Sequence, residues 1–82
     1  MKSNIEIVKE VLDNTGMFYS AYVDEYSSEK EVKIVTRAVF VRLTDLDTLR
    51  YGIEREGGHL EDIEVSTMPA MDNRMCITVI FD

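Results

Sequence analysis

Apolar and polar positions along this chain repeat with two periods, and the changes of period divide it into six segments. From Asn4 to Thr15, Ile5, Val8 and Leu12 recur at spacings of three and four, with Val11 beside them, while Glu6, Lys9, Glu10 and Asp13 fall elsewhere. That is one face of a helix. Ser3 with Glu6 forms a capping-box pattern at its start, and Gly16 suits the left-handed position past its end. The period then drops to two. Met17, Tyr19, Ala21 and Val23 alternate with Phe18, Ser20, Tyr22 and Asp24, which predicts a strand over Met17–Tyr26 whose acidic end suits a sheet edge. Ser27–Lys30 reads as a hairpin turn.

The most β-prone run follows, Val32–Leu43, with Lys33 and Arg37 on the same parity as Val39, Val41 and Leu43. Both faces are apolar towards its C-terminal half, as in a central strand covered on two sides. A bulge near Thr36 gives the same change of parity, and the sequence leaves both options open. Thr44 with Asp47 is a second capping pair, Leu46, Leu49 and Ile53 form a buried stripe, and Gly57-Gly58 stops the helix. Arg50 is spaced to pair with Asp47 or Glu54. Glu54 and Glu56 lie in the last turn, where negative charge opposes the helix dipole at a cost of ~0.3–1 kcal/mol each.

A third strand is expected over His59–Met68, with Ile63 and Val65 inward and Asp62, Glu64 and Ser66 outward. Pro69–Asn73 reads as a loop, and Met75–Phe81 as a fourth, central strand without charge on either side. The order is helix, strand, strand, then helix, strand, strand. Placing the least polar strands centrally predicts an α+β two-layer sandwich of sheet order first–second–fourth–third, mainly antiparallel, with both helices on one face. This αββαββ pattern resembles a ferredoxin-like sandwich circularly permuted so that its second helix and last strand come first. The second half, Val39–Phe81, also resembles the opening β-α-β-β of ACT-type regulatory domains. Similar permuted modules occur in secretion and pilus machines.

The 82 residues are enough for one domain, read as 1–82, and 45% are hydrophobic, which excludes a disordered chain. No stretch approaches the ~18 apolar residues of a membrane span, and no secretory leader pattern opens the sequence. One cysteine, Cys76, fits a reducing compartment, so a cytoplasmic protein is expected. The net charge of −7 is uneven: residues 1–43 carry −1 and residues 44–82 carry −6. Such a field repels nucleic-acid phosphates and attracts a basic protein surface, although charge also simply keeps a small domain soluble.

Candidate chemistry is sparse. The glycine pair follows a helix, whereas phosphate-cradling glycines precede one. His59 with Glu61, and Asp62 with Glu64, offer two ligands to each face of a strand. A metal site needs three or four that converge, so neither metal nor cofactor is expected. Cys76 shares its strand parity with Arg74, but a cysteine on a central strand is more often a small buried hydrophobe than a nucleophile. Nothing positive points to an enzyme.

Two features favour binding. The open sheet face is predicted to carry Phe18, Tyr22, Val39, Val41, Thr78 and Ile80, too apolar a set to leave wet, which points most simply to a homodimer, or else to a partner or ligand that occupies it. Glu54, Glu56, Glu61, Asp62 and Glu64, with Tyr51, are predicted to form an acidic patch. The reading is a non-catalytic interaction module, a small acidic regulator or inhibitor that binds a basic and possibly nucleic-acid-binding surface of a partner protein. The alternative is a small-molecule-sensing ACT-like domain with its ligand at a dimer interface near Thr44–Leu46. The two acids of Asp45-Leu46-Asp47 would repel an amino-acid carboxylate.

Overall fold

A computed structural model of the chain describes residues 2–69, 72 and 74–82. Its elements are α1 (Asn4–Thr15), β1 (Tyr22–Val23), β2 (Glu31–Thr36), α2 (Leu43–Arg55), β3 (Leu60–Met68) and β4 (Arg74–Phe81). The four strands form one sheet in the order β1-β2-β4-β3, with every neighbouring pair antiparallel. The chain is therefore α+β, and the strand order is the expected one: the least polar strands, β2 and β4, sit in the middle.

The core lies between one face of the sheet and both helices. Val32 and Ile34 of β2 lie opposite Val79 and Ile77 of β4, and these four pack with Phe81, Val8, Val11, Leu49 and Ile53 in one buried cluster. Burying each such side chain fully is worth ~1.5–3 kcal/mol. The other side of β2 and β4 is not bare. Val35 and Cys76, paired across the strands and outside that cluster, are both buried.

Helix α1 has the expected limits. Ser3 Oγ accepts the Glu6 N–H, and Gly16, in the left-handed region at φ +57, donates its N–H to Leu12 O. Its buried face differs from the one expected. Ile7, Val8 and Val11 are buried, while Ile5 and Leu12 are only partly so, because α1 packs beside α2 as well as on the sheet.

The first strand is far shorter than Met17–Tyr26. Ser20 has φ +50, so the chain turns at Phe18–Ser20, and Met17 and Phe18 both lie inward although they are adjacent in sequence. Pairing is confined to Tyr22 opposite Val35 and Val23 opposite Ile34.

The second strand ends at Thr36 and does not reach Leu43. Its pairing with β4 runs without a register shift, so there is no bulge near Thr36. The ladder ends at the Thr36–Met75 pair, one residue from the start of β4 at Arg74, and the next amide, Arg37 N–H, turns to Tyr19 O. The Thr36 hydroxyl also accepts the Ala38 N–H, which turns the chain. Residues 37–42 are therefore an irregular connector in which Val39 is 88% and Phe40 57% exposed.

Helix α2 begins at Leu43, earlier than the Thr44–Asp47 pair implies. Asp45 does the capping: its carboxylate accepts the Arg42 N–H at 3.2 Å. Leu49 and Ile53 are buried as expected and Leu46 partly so. The helix ends where Gly57, at φ +93, turns the chain and Gly58 N–H donates to Ile53 O. Strands β3 and β4 lie within a residue of their expected limits. Of the loop expected over Pro69–Asn73, Ala70, Met71 and Asn73 lie outside the described residues.

Candidate functional site

Helix α2 presents three flanks. Leu49 and Ile53 point into the core, Gly52 faces α1, and Leu43, Asp47, Arg50 and Glu54 follow one another at spacings of four and three along the flank beside β3. Spacing of that kind puts all four on one side of a helix. Opposite them, β3 starts with a register shift between Leu60 and Asp62, which leaves Glu61 exposed at the edge.

The result is an open groove of about 330 Å³ between α2 and β3. Its apolar part is Leu43, Leu46, Leu60 and Ile63, and its rim carries Asp47, Glu54, Glu61 and Asp62. Leu43 is 81% exposed although apolar. The only cation among the described residues that line the groove, Arg50, already pairs with Asp47 Oδ1 at 2.9 Å. The groove is thus apolar at the bottom and anionic at the lip.

Only part of the expected acidic patch gathers there. Glu54, Glu61 and Asp62 do. Glu56 lies at the far end of α2 and is paired with Lys2 at 3.2 Å, while Lys2 also bonds Glu10. Lys2 Nζ donates to both carboxylates, and these hydrogen bonds, first to Glu10 and then to Glu56, raise its pKa above the ordinary 10.5. Glu64 lies opposite Thr78 and faces the other side of the sheet from the core, and Tyr51 is exposed on the solvent side of α2. Asp47 and Leu43 were not among the expected site residues. The 43–47–50–54 spacing was visible in the sequence, but the expected helix began too late to include Leu43.

The expected open-face set separates likewise. Tyr22, opposite Val35, and Thr78 and Ile80 of β4 share the sheet face away from the core. Phe18 does not: it is buried within the core. Val39 projects from the connector and Val41 packs against the core, so neither lies on the sheet. The strand expected to carry them ends before reaching either. The outer face is consequently less apolar than expected, with Asp62, Glu64 and Ser66 along its β3 side.

A second hollow, of about 520 Å³, lies beside the start of α2. Phe18, Tyr19, Phe40, Arg42 and Asp45 line it, and the Arg42 guanidinium sits 5.2 Å from the centre of the Phe40 ring, within cation–π range. His59 is exposed, and no group of three metal-ligating side chains lies together among the described residues. Cys76 is buried, with Sγ 3.9 Å from Thr78 Oγ1. Among the described residues no helix is long and apolar enough to cross a membrane. No family model, curated protein or solved structure matches the chain.

Proposed function

We propose that this chain is a non-catalytic interaction module, a small acidic regulator or inhibitor whose α2–β3 groove takes a basic segment of a partner protein. One observation carries the reading: among the described residues, four carboxylates stand around an apolar groove whose single cation is already paired. A segment with lysine or arginine beside apolar side chains matches both parts. Basic surfaces of that kind are common where proteins hold nucleic acid, and carboxylates here would stand where phosphates otherwise sit. The chain itself, at net −7, repels nucleic acid. The same reading includes a circularly permuted ferredoxin-like sandwich, a cytoplasmic location and a homodimer through the outer sheet face, for which Tyr22, Thr78 and Ile80 supply the apolar contacts.

The test is calorimetric titration with a lysine-rich amphipathic peptide against the parent and the triple variant Glu54→Lys, Glu61→Lys, Asp62→Lys. At ~1 kcal/mol for each rim pair, the variant binds on the order of hundredfold more weakly. A control reversing Asp13, Glu25 and Glu31, which matches the net charge elsewhere, retains most of the affinity. Equal losses in both variants would reduce the groove to a share of the general field.

The second hollow favours one other reading, an ACT-like domain that senses a small molecule beside the start of α2. Tyr19, Phe40 and Arg42 suit a flat anionic ligand, whereas Asp45 opposes a carboxylate and is engaged with the Arg42 N–H. A thermal-shift series with amino acids and nucleotides separates the two readings. Sensing requires a saturable rise in melting temperature for one class, abolished by Arg42→Ala.

A further inference from the structure

Hydrogen bonds at one end of the sheet fix which amides of β3 face away from it. On β4, Phe81 N–H donates to Lys30 O at 2.8 Å, on the β2 side, and Asp82 N–H donates to His59 O at 3.0 Å, on the β3 side. Amides alternate along a strand, so Ile80, Thr78 and Cys76 also turn theirs towards β3. Their partners on β3 are Asp62, Glu64 and Ser66. Antiparallel partners of this kind exchange both bonds, which leaves Ile63, Val65 and Thr67 with their amides pointing outward. Ile63 agrees with this assignment, because its N–H is taken by the Asp62 carboxylate at 2.8 Å and not by β4. The outward amides of Val65 and Thr67 have no acceptor among the described residues.

We infer that β3 receives the partner's basic segment in extended form, as a fifth strand paired along Val65 and Thr67. The inference rests on the acidic-groove reading and adds the conformation of the bound segment. Three observations converge on it. The strand is nine residues long, enough for sustained pairing, while β1 at the opposite edge has two. Val65 is 41% exposed although its partner Ile77 is fully buried, so the inner side of β3 is only partly covered. A strand laid there would point alternate side chains towards Leu43 and Leu46 and the intervening ones beside Asp62 and Glu64. Charge selects the occupant. Residues 60–68 contain three acids and no base, so a second copy of β3 would line one seam with carboxylates alone, whereas lysine or arginine at alternate positions pairs with them.

The experiment uses the full chain and two peptides matched in length to β3, both alternating lysine with valine and threonine, one of them N-methylated at alternate amides. The unmethylated peptide should bind on the order of tenfold more tightly, the loss expected from removing one or two strand hydrogen bonds. Its binding should also slow hydrogen exchange at Val65 and Thr67. Thr67→Pro removes an outward amide without touching the β4 ladder, a change edge strands tolerate, and should weaken the unmethylated peptide alone. Equal affinity of the two peptides, with Val65 and Thr67 unprotected, overturns strand addition and leaves the acidic groove standing. Strand-like protection that survives Glu61→Lys and Asp62→Lys unchanged overturns the basic character of the segment. Failure of both peptides to bind overturns the two readings together. Protection that grows with protein concentration in the absence of peptide overturns it in favour of a second copy.

Discussion

Thr36 is the only buried polar side chain among the described residues. Its Oγ1 donates to Tyr19 O at 2.6 Å and accepts the Ala38 N–H at 3.1 Å, so one hydroxyl joins the turn before β1 to the turn after β2. Thr36→Val keeps the shape and removes both bonds. The Ala38 amide then loses its acceptor in a half-buried place, and the variant should lose ~1–3 kcal/mol in urea unfolding with an unchanged slope. Tyr19 O is less affected, because it also accepts the Arg37 N–H. In the sequence Thr36 stands inside an unbroken β-prone run, and nothing local marks it as the last residue of a strand. That depends on where β4 begins, which is information from the other half of the chain.

At the scale of elements, the two helices meet where Gly52 admits Val11. A Cβ placed on Gly52 would lie 2.9 Å from Val11 Cγ1, a contact that a stiff, buried β-branched side chain cannot relieve by rotating. Gly52→Ala gains ~1 kcal/mol of helix propensity and sets against it an overpacking cost of ~1–3 kcal/mol. The variant should therefore be less stable than the parent, and adding Val11→Ala should recover part of the loss, a coupling visible in a double-mutant cycle by chemical denaturation. The limits of α1, the end of α2, the strand order and which two strands are central were legible because capping residues and period-two alternation act locally. The extent of β1 and β2 was not, because a β-prone sequence becomes strand only beside a partner. The same error misplaced Phe18, Val39 and Val41, half of the predicted sheet face.

For the molecule as a whole, the acidic balance of the second half was plain from the sequence, but its geometry was not. Folding divides those acids among a groove rim, a pairing with Lys2 and the outer sheet face. The register shift between Leu60 and Asp62 leaves Glu61 and Asp62 together between the core-facing Leu60 and Ile63, so these two sequence neighbours both reach the groove rim while Glu64 stays on the outer face. Meanwhile Arg37 and Arg42 gather with Tyr19, Val39 and Phe40 around the hollow beside the start of α2. The molecule thus gathers two arginines and two aromatic rings at one corner, with Asp45 beside them.

The two edges of the sheet are unequal, and that sets a stoichiometry. Growth of a sheet from molecule to molecule needs each unit to accept a strand on one side and offer one on the other. Here β3, nine residues long, keeps outward amides at Val65 and Thr67, but β1 has only Tyr22 and Val23 to offer before the chain turns on either side. A strand received at β3 has no route of continuation through the domain. Pairing of this kind terminates after one addition, so the domain can form a closed one-to-one complex without seeding a fibre.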